Sequence, residues 1–492
     1  MIRCYVLLLV LAGMLWTSAS VHADVQDYPA DWGSLRMNET QAIGSHNSYH
    51  LRPSEALDAL MVSVLSQDPE AIAAICPGDA TSEACIQRLR YDHPSVDVQL
   101  DGGIRQFEFD VFWDPFGYHY SRPVGWLFIE NFPPLDVLLG EDYKLPGFKT
   151  LHIQDLDYET NCALLTQCLK PLRDWSLLNQ NHAPILVLIE TKDDPLPTVS
   201  GITFTAPYLF TSYAMLQLEQ EIQSVFSADH ILTPDDVRGS YDTLREAILE
   251  VGWPSLDQAS GKILFALDNG DPHRGLYLAN HPGLKGALMF VDSSPADDFA
   301  AFMKRNDPAA TDVEEQVRAG FLIRTRADVE TQEALANDAT RRDRAFESGA
   351  QFISTDYRWP DLSLSPYKVA FEGDATLREN PVNAPPACSF EGDLALVTDT
   401  DQDGKSDRLD CDDDGDFLVD GFEAQIGTDP LLEDSDQDGA SDSRELFFGS
   451  DPLDASSVPA PEPAAAWLQA AALLSLVILR SILRRAVPDN SM

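Results

Sequence analysis

Basic residues are scarce in this chain. Against 80 Asp and Glu stand only 34 Lys and Arg, a formal net charge of −46 over 492 residues. That deficit excludes nucleic acid as a partner, because phosphate backbones are held by clustered Lys and Arg. It also makes approach to an anionic lipid surface unfavourable unless cations or a local basic patch intervene. Such acidity points to divalent-cation sites or to salty surroundings. Cysteine is scarce too, with 7 in the chain. Cys4 falls in an N-terminal leader, and the others form near pairs, Cys76 with Cys85, Cys162 with Cys168 and Cys388 with Cys411. Three local disulfides are predicted, although spacing alone does not fix connectivity.

Apolar runs of near-membrane length occur only at the two ends. Arg3, the run Tyr5 to Trp16 and Val21-His22-Ala23 read as a secretory signal over residues 1–23. An uncleaved anchor is the alternative, but the run is short for a span. Export places the cysteines in an oxidising compartment. At the other end, residues 458–485 join Val458-Pro-Ala-Pro-Glu-Pro463 to an apolar run, Ala464 to Leu479, and then Arg480, Arg484 and Arg485. This segment resembles the PEP-CTERM sorting signal of Gram-negative bacteria, although the tail Ala486 to Met492 is longer than such signals usually carry. A plain C-terminal anchor is the alternative. Both readings imply an exported bacterial protein at the cell surface or outside the cell, with membrane contact through the C-terminal segment.

The body of the chain, residues 24–375, alternates short apolar runs with helical stretches such as Leu164–Leu178 and Asp242–Val251. Eight strands are predicted: Gln41–Gly44, Arg105–Val111, Thr150–Ile153, Ile185–Glu190, Lys262–Leu267, Ala287–Val291, Phe321–Arg324 and Phe352–Ser354. Strands separated by helices argue for an α/β fold with a parallel sheet, and eight of them for a (β/α)8 TIM-type barrel, regular or irregular. Polar residues gather at the strand ends, where such barrels place their chemistry. His46 and Asn47 follow the first strand, while Glu108 and Asp110 share one face of the second. His152 and Glu190 end the third and fourth. Asp268, Asp292, Arg324 with Arg326, and Asp356 end or follow the rest.

The residue types narrow the chemistry. Two histidines suit acid–base work near neutrality. Asn47, Glu108, Asp110 and Glu190 offer only oxygen, which suits Ca2+ or Mg2+ rather than zinc. A hard cation with two histidines fits phosphodiester cleavage. His50, His93, His119, His182 and His281 are read as loop histidines and left out.

Gly44-Ser-His-Asn-Ser-Tyr49, Gly103-Ile-Arg-Gln-Phe-Glu-Phe-Asp110 and Pro184-Ile-Leu-Val-Leu-Ile-Glu190 resemble the catalytic blocks of phosphatidylinositol-specific phospholipase C, specifically its Ca2+-dependent bacterial and fungal branch. Supporting blocks run from Tyr91 to Asp101, Leu151 to Cys162, Cys168 to Ser176, Gly261 to Asp268 and Arg324 to Asp328. The resemblance implies that Asn47, Glu108, Asp110 and Glu190 hold Ca2+. It implies that His46 stabilises the pentacovalent transition state, that His152 protonates the leaving alcohol, and that Glu108 takes the proton of the attacking inositol hydroxyl. Lys192, Arg324 and Arg326 would grip the head group. The expected substrate is a phospholipid or another phosphodiester. Two other readings keep the barrel: a surface or matrix binding module without turnover, and a glycerophosphodiester phosphodiesterase. The insertion between His46 and Glu108, with Cys76 and Cys85, departs from the wider family and is expected to lid the site and alter the substrate accepted.

Residues 376–398 read as a linker, and 399–457 as acidic repeats. Asp399, Asp401, Asp403, Asp407 and Asp410 stand at Ca2+-loop spacing, as do Asp412, Asp414, Asp416, Asp420 and Glu423, and Asp434, Asp436, Asp438, Asp442 and Glu445. Phe417 stands where the middle loop wants glycine. Carboxylates this dense repel unless cations separate them, so Ca2+ should be required for folding. The segment resembles thrombospondin type 3 repeats, which implies a Ca2+-stiffened stalk and an extracellular-matrix setting. A merely solvated acidic linker is the alternative.

Overall fold

The computed structural model describes residues 28–384 except 30–31, 69, 71, 73–75, 77–80, 126–128, 130–140 and 200, and residues 399–458 except 403–406 and 408–409. The predicted signal, the C-terminal run and Asp403 lie outside the described residues. The chain divides into two compact units, Met1–Ala384 and Pro385–Met492.

The first unit is built on ten strands: β1 (Thr40–Ser45), β2 (Gln106–Asp114), β3 (Gly147–Thr150), β4 (Ile185–Thr191), β5 (Ile263–Leu267), β6 (Met289–Val291), β7 (Phe302–Lys304), β8 (Leu322–Arg326), β9 (Phe352–Thr355) and β10 (Leu377–Glu379). Eight of them run parallel in the order β6-β5-β4-β2-β1-β9-β8-β7. The sheet nearly closes, as β6 and β7 meet through a parallel bridge at Asp292 and Phe302. This is a TIM-type α/β barrel. β4 and β5 are short apolar runs because both of their faces are covered. Ile185 to Ile189 and Phe265 to Leu267, for example, are fully buried.

Two of the expected barrel strands differ. The run predicted as Thr150–Ile153 is instead β3, Gly147–Thr150, antiparallel to β2 and outside the barrel. Residues 151–157 turn back on themselves, with Ile153 N–H donating to Asp157 O at 2.8 Å. The eighth barrel strand is β7, three residues long and not among the predicted strands. Residues 376–384, read as linker, belong to the first unit. β10 pairs antiparallel with β1, and Asn380 Nδ2 donates to Gly349 O at 2.6 Å.

β1 and β2 touch at a single register position, Gly44 with Gln106. A Cβ on Gly44 would lie 2.6 Å from the Cβ of Gln106, so the close approach that brings His46 beside Glu108 requires glycine. The insertion contains the helices Glu55–Leu65 and Ser82–Gln87, the second capped by Thr81, whose Oγ1 accepts from Ala84 N–H at 3.1 Å. Cys76–Cys85 and Cys162–Cys168 are disulfides. The expected Cys388–Cys411 bridge falls partly outside the described residues; Cys411 itself is disulfide-bonded.

In the second unit, two loops each lead into a short helix, Asp420–Ile426 and Asp442–Phe448. Each helix closes on a left-handed glycine, Gly427 and Gly449. The loops repeat bond for bond. Asp413 N–H donates to Asp420 Oδ1 and Ser435 N–H to Asp442 Oδ1, both at 3.0 Å. Thr400 N–H makes the same bond to Asp407 at 2.9 Å, which places the first loop in the same frame.

Candidate active site and metal centre

One cavity of about 370 Å³ opens at the carboxyl ends of the strands. It brings together every residue singled out for catalysis, barrel metal binding and substrate binding: His46, Asn47, Glu108, Asp110, His152, Glu190, Lys192, Arg324 and Arg326.

At its floor, oxygens of Glu108, Asp110 and Glu190 lie within 4.8 Å of one another. β2 supplies the first two from one face, and Glu190 stands opposite Asp110 in the register of β4. Asp110 Oδ1 and Asn47 Oδ1 are buried with no hydrogen-bond donor among the described residues. Burial raises Glu108 to about 7 despite Arg324, and raises Asp110 despite Lys192. Burial would raise Glu190 as well, but Lys192 and then Lys304 overcome it and hold that carboxyl near 2. Lys192 Nζ stands 3.2 Å from Asp110 and 3.3 Å from Glu190, a cation placed between carboxylates that would otherwise repel. Orphaned oxygens on a hard, all-oxygen donor set fit a divalent cation of the Ca2+ type.

Each histidine is backed by a buried carboxylate. His46 Nδ1 is 2.9 Å from Asp356 Oδ1, and Asp356 Oδ2 takes Arg326 at 3.2 Å. Burial and then Arg326 push His46 down to about 3, against the pull of Asp356. The neutral ring therefore gives its Nδ1–H to Asp356 and leaves Nε2 as an acceptor, 4.0 Å from Glu108 Oε1. His152 Nδ1 donates to Asp157 Oδ2 at 2.7 Å.

Asp157 has a second partner. His50 Nε2 lies 2.9 Å from Asp157 Oδ2, while His50 Nδ1 lies 3.1 Å from Tyr91 O. Both ring nitrogens face acceptors, so both carry protons and His50 is an imidazolium. Burial opposes that charge, but Asp157 outweighs it and raises the group. Asp157 in turn is held near 2, because His50 and His152 overcome its own burial. Far from being a loop bystander, His50 is fully buried and stacks on Tyr91, ring centroids 4.2 Å apart.

The expected head-group cations are engaged elsewhere. Arg324 is fully buried and bonds Glu108, Asn306 and Ser354. Arg326 bonds Asp356 and Lys192 bridges carboxylates. Lys304 and Asn306, which also line the cavity, went unnoticed because β7 did. Asp157 left a usable signal, a carboxylate five residues after His152 in a turn.

In the second unit, oxygens of Asp412, Asp414 and Asp416 cluster within 4.8 Å, as do those of Asp434, Asp436 and Asp438. Glu423 and Glu445 are buried beside them. Burial and then Asp414 push Glu423 up to about 8, and burial pushes Asp414 to about 7. Asp399, Asp401, Asp407 and Asp410 of the first loop are described, and Asp407 and Asp410 are buried.

The sequence profile of the Ca2+-dependent phosphoinositide phospholipase C family matches residues 35–381, and that of the bacterial TSP3 repeat matches 412–432 and 434–455. No curated protein matches the chain in sequence. Among solved structures, the chain is similar to a calcium-dependent phosphoinositol-specific phospholipase C from Pseudomonas sp. They share 14% identity over 72% of this chain and 98% of that one, with a TM-score of 0.42. It is similar to the Ca2+-dependent phosphatidylinositol-specific enzyme of Streptomyces antibioticus at 17% identity over 65% and 94%, TM-score 0.40. The Listeria monocytogenes enzyme shares 11% identity over 68% and 96%, TM-score 0.35. The chain belongs to the Ca2+-dependent phosphoinositide phospholipase C family, a phosphoric diester hydrolase that uses Ca2+, acts on phospholipid and carries TSP3 repeats behind its barrel.

Proposed function

We propose that this enzyme cleaves a phosphoinositide between phosphorus and the glycerol oxygen, releasing diacylglycerol and an inositol phosphate. The observation that carries the reading is the pair of carboxylate-backed histidines facing one cavity with the three-carboxylate cluster. Asn47, Glu108, Asp110 and Glu190 would hold Ca2+, which when bound neutralises phosphate charge and lowers the pKa of the attacking hydroxyl.

The chain's own groups do the rest. His46 Nε2 and Glu108 Oε1 are the two proton acceptors on one side of the cavity. Arg324 occupies the other oxygen of Glu108, leaving Oε1 for the metal or the proton. The neutral His46 is an acceptor as it stands. On receiving the inositol proton it becomes an imidazolium stabilised by Asp356, and it can then donate to the anionic phosphorane. This path joins proton acceptance to the stabilising role expected of it. His152, oriented through Nδ1 by Asp157, presents Nε2 for protonating the glycerol oxygen. Lys192 is the cation best placed to turn from Asp110 and Glu190 to the substrate phosphate.

The rest of the chain gives this chemistry a setting. A signal over 1–23, a barrel, a linker, Ca2+ repeats over 399–457 and a sorting segment over 458–485 would export the enzyme and hold it on a stalk at the cell surface, near extracellular matrix. Two disulfides among the described residues suit that compartment. For lipid contact, Phe116, Tyr118, Leu209 and Tyr213 are all exposed on segments that follow the carboxyl ends of β2 and β4.

The test is to incubate the purified enzyme with phosphatidylinositol micelles, with Ca2+ and then with chelator, and to assay diacylglycerol. Product that disappears on chelation supports the reading. Tight inositol phosphate binding without product at saturating Ca2+ refutes it in favour of a binding module.

A further inference from the structure

The catalytic cavity has two chemically distinct halves. Carboxylates, Lys192, Lys304 and the arginines line the half formed by the barrel. The other half is mainly apolar. The insertion supplies Leu60, Met61, Val64, Leu65 and Ile86 together with Arg88, which pairs with Glu330 at 3.1 Å. Leu156 from the His152 loop with Ile202 and Phe204 from the segment after β4 complete it.

This wall is not a packing remnant. Leu60 and Val64 sit one turn apart on the helix Glu55–Leu65. Leu57, Met61 and Leu65, on the neighbouring stripe, are fully or almost fully buried in a core with Cys76, Cys85 and Ile86. Met61 and Leu65 line the cavity as well, and Leu60 and Val64 are half-buried against that same core, so the helix is anchored by the face it turns to the cavity. Arg90 braces it with a two-pronged ion pair to Asp58, at 2.6 and 2.9 Å, and the Cys76–Cys85 disulfide staples the next segment. Protein interiors close apolar gaps where they can. A braced apolar wall that lines an open cavity among the described residues and is joined to catalytic groups is the form of a ligand pocket.

A phosphoinositide is divided in the same way. Its inositol is polar, its phosphorus must lie between His46 and His152, and its acyl chains are apolar. The inositol ring needs hydrogen-bond partners that the apolar half does not offer, so the ring belongs to the barrel half and the glycerol side to the insertion half. We infer that the insertion forms an acyl chamber, and that the enzyme draws the first carbons of a lipid acyl chain out of water or membrane into the protein during cleavage. This inference rests on the phosphoinositide reading above and names the part of that substrate which decides specificity. It makes an acylated diester, rather than a deacylated glycerophosphodiester, the preferred substrate.

The experiment uses the full-length enzyme with Ca2+ and three soluble probes kept below their critical micelle concentrations: glycerophosphoinositol, dibutyroyl- and dihexanoyl-phosphatidylinositol. Monomeric probes separate a chamber in the protein from activation at a lipid surface. The chamber requires kcat/KM to rise with chain length, by about fourfold for each methylene that passes from water to the apolar wall. Val64→Trp, which fills the chamber, and Leu60→Gln, which wets it, should flatten that rise while leaving turnover of glycerophosphoinositol within twofold of wild type. That unchanged turnover also reports an intact fold. A wild-type kcat/KM that is flat from dibutyroyl to dihexanoyl, or variants that keep the wild-type slope, would overturn the chamber and leave the phosphoinositide reading standing. No turnover of any of the three probes, nor of micellar phosphatidylinositol, would overturn both.

Discussion

His50 offers a sharp test of the charge network behind His152. Its two ring nitrogens face Tyr91 O and Asp157 Oδ2, and its side chain is fully buried. His50→Asn removes the cation and the bond to Asp157, leaving that buried carboxylate with His152 as its one remaining hydrogen-bond partner. His50→Gln keeps a donor that can reach Asp157 and removes only the charge. Breaking a buried ion pair on one side costs about 3–5 kcal/mol. Asp157 gives an independent scale, since its fall from 3.8 to about 2 corresponds to about 2 kcal/mol at neutral pH. The asparagine variant should therefore lose about 3 kcal/mol of barrel stability at pH 6, and the glutamine variant about half as much. The loss should also depend on pH. Asp157 is lowered by folding, so its share is present above 3.8 and disappears as pH falls through about 2. His50 is raised, so its share is complete below 6.5 and disappears as pH climbs through the elevated folded value. The penalty is thus largest between about pH 4 and 6.5 and shrinks on either side. Urea unfolding of the three proteins across pH 4 to 8.5, followed by tryptophan fluorescence, measures it. Equal stability of wild type and His50→Asn at pH 6, or a penalty that grows from pH 6 to 8.5, would show that His50 is neutral and that the network is drawn wrongly.

Other consequences follow from the same geometry. Asp110→Asn should weaken the Ca2+ dependence of turnover by at least tenfold in the half-saturating concentration, while leaving the thermal midpoint of the barrel in chelator unchanged or higher, because a repelling buried charge is gone. His152→Ala should lower kcat by about 10²–10⁴ with little change in KM, the usual range for a lost general acid. Phe417 is 90% exposed at φ +77°, and its N–H bonds Asp412 as that of Gly439 bonds Asp434. Phe417→Gly sheds a left-handed strain of about 1–2 kcal/mol and gives back about 0.5–1 in unfolded-chain entropy, so calorimetry should show the repeats stabilised by up to about 1.5 kcal/mol. Phe116→Asp with Leu209→Asp should reduce binding to phosphatidylinositol vesicles by tenfold or more in flotation assays, with unchanged turnover of glycerophosphoinositol.

What the sequence shows and hides follows from how each part is encoded. β4 and β5 are legible because Ile185 to Ile189 and Ile263 to Leu267 are unbroken apolar runs buried on both faces, and β2 because Phe107, Phe109 and Val111 alternate with polar residues. β1, β8 and β9 show only the shorter stretches Ala42-Ile43, Leu322-Ile323 and Phe352-Ile353. β7 escapes the sequence reading, and Lys304 and Asn306 are hidden with it. β3 misled in the opposite way. It is a strand, but it pairs antiparallel on the outer end of β2, and pairing direction leaves no trace in a four-residue run. His152 was found for its residue type, while its placement came from a turn rather than from a barrel strand. The acidic repeats were legible as repeats, because their carboxylates recur at a local spacing within a 22-residue frame.

The hidden parts share one property: they depend on contacts between residues far apart in sequence. Asp356 meets His46 across 310 positions and His50 meets Asp157 across 107. Arg324 reaches Glu108 across 216, so a residue expected to hold substrate is bonded to a carboxylate of the cluster. That exchange has a physical reason. Two buried carboxylates, Glu108 and Asp110, beside the half-buried Glu190 would, without Lys192 and Arg324 among them, carry a desolvation penalty that no local spacing could offset. The cations most visible in the sequence as substrate grips thus also balance the carboxylates of the site, Arg324 at Glu108 and the partly exposed Lys192 between Asp110 and Glu190.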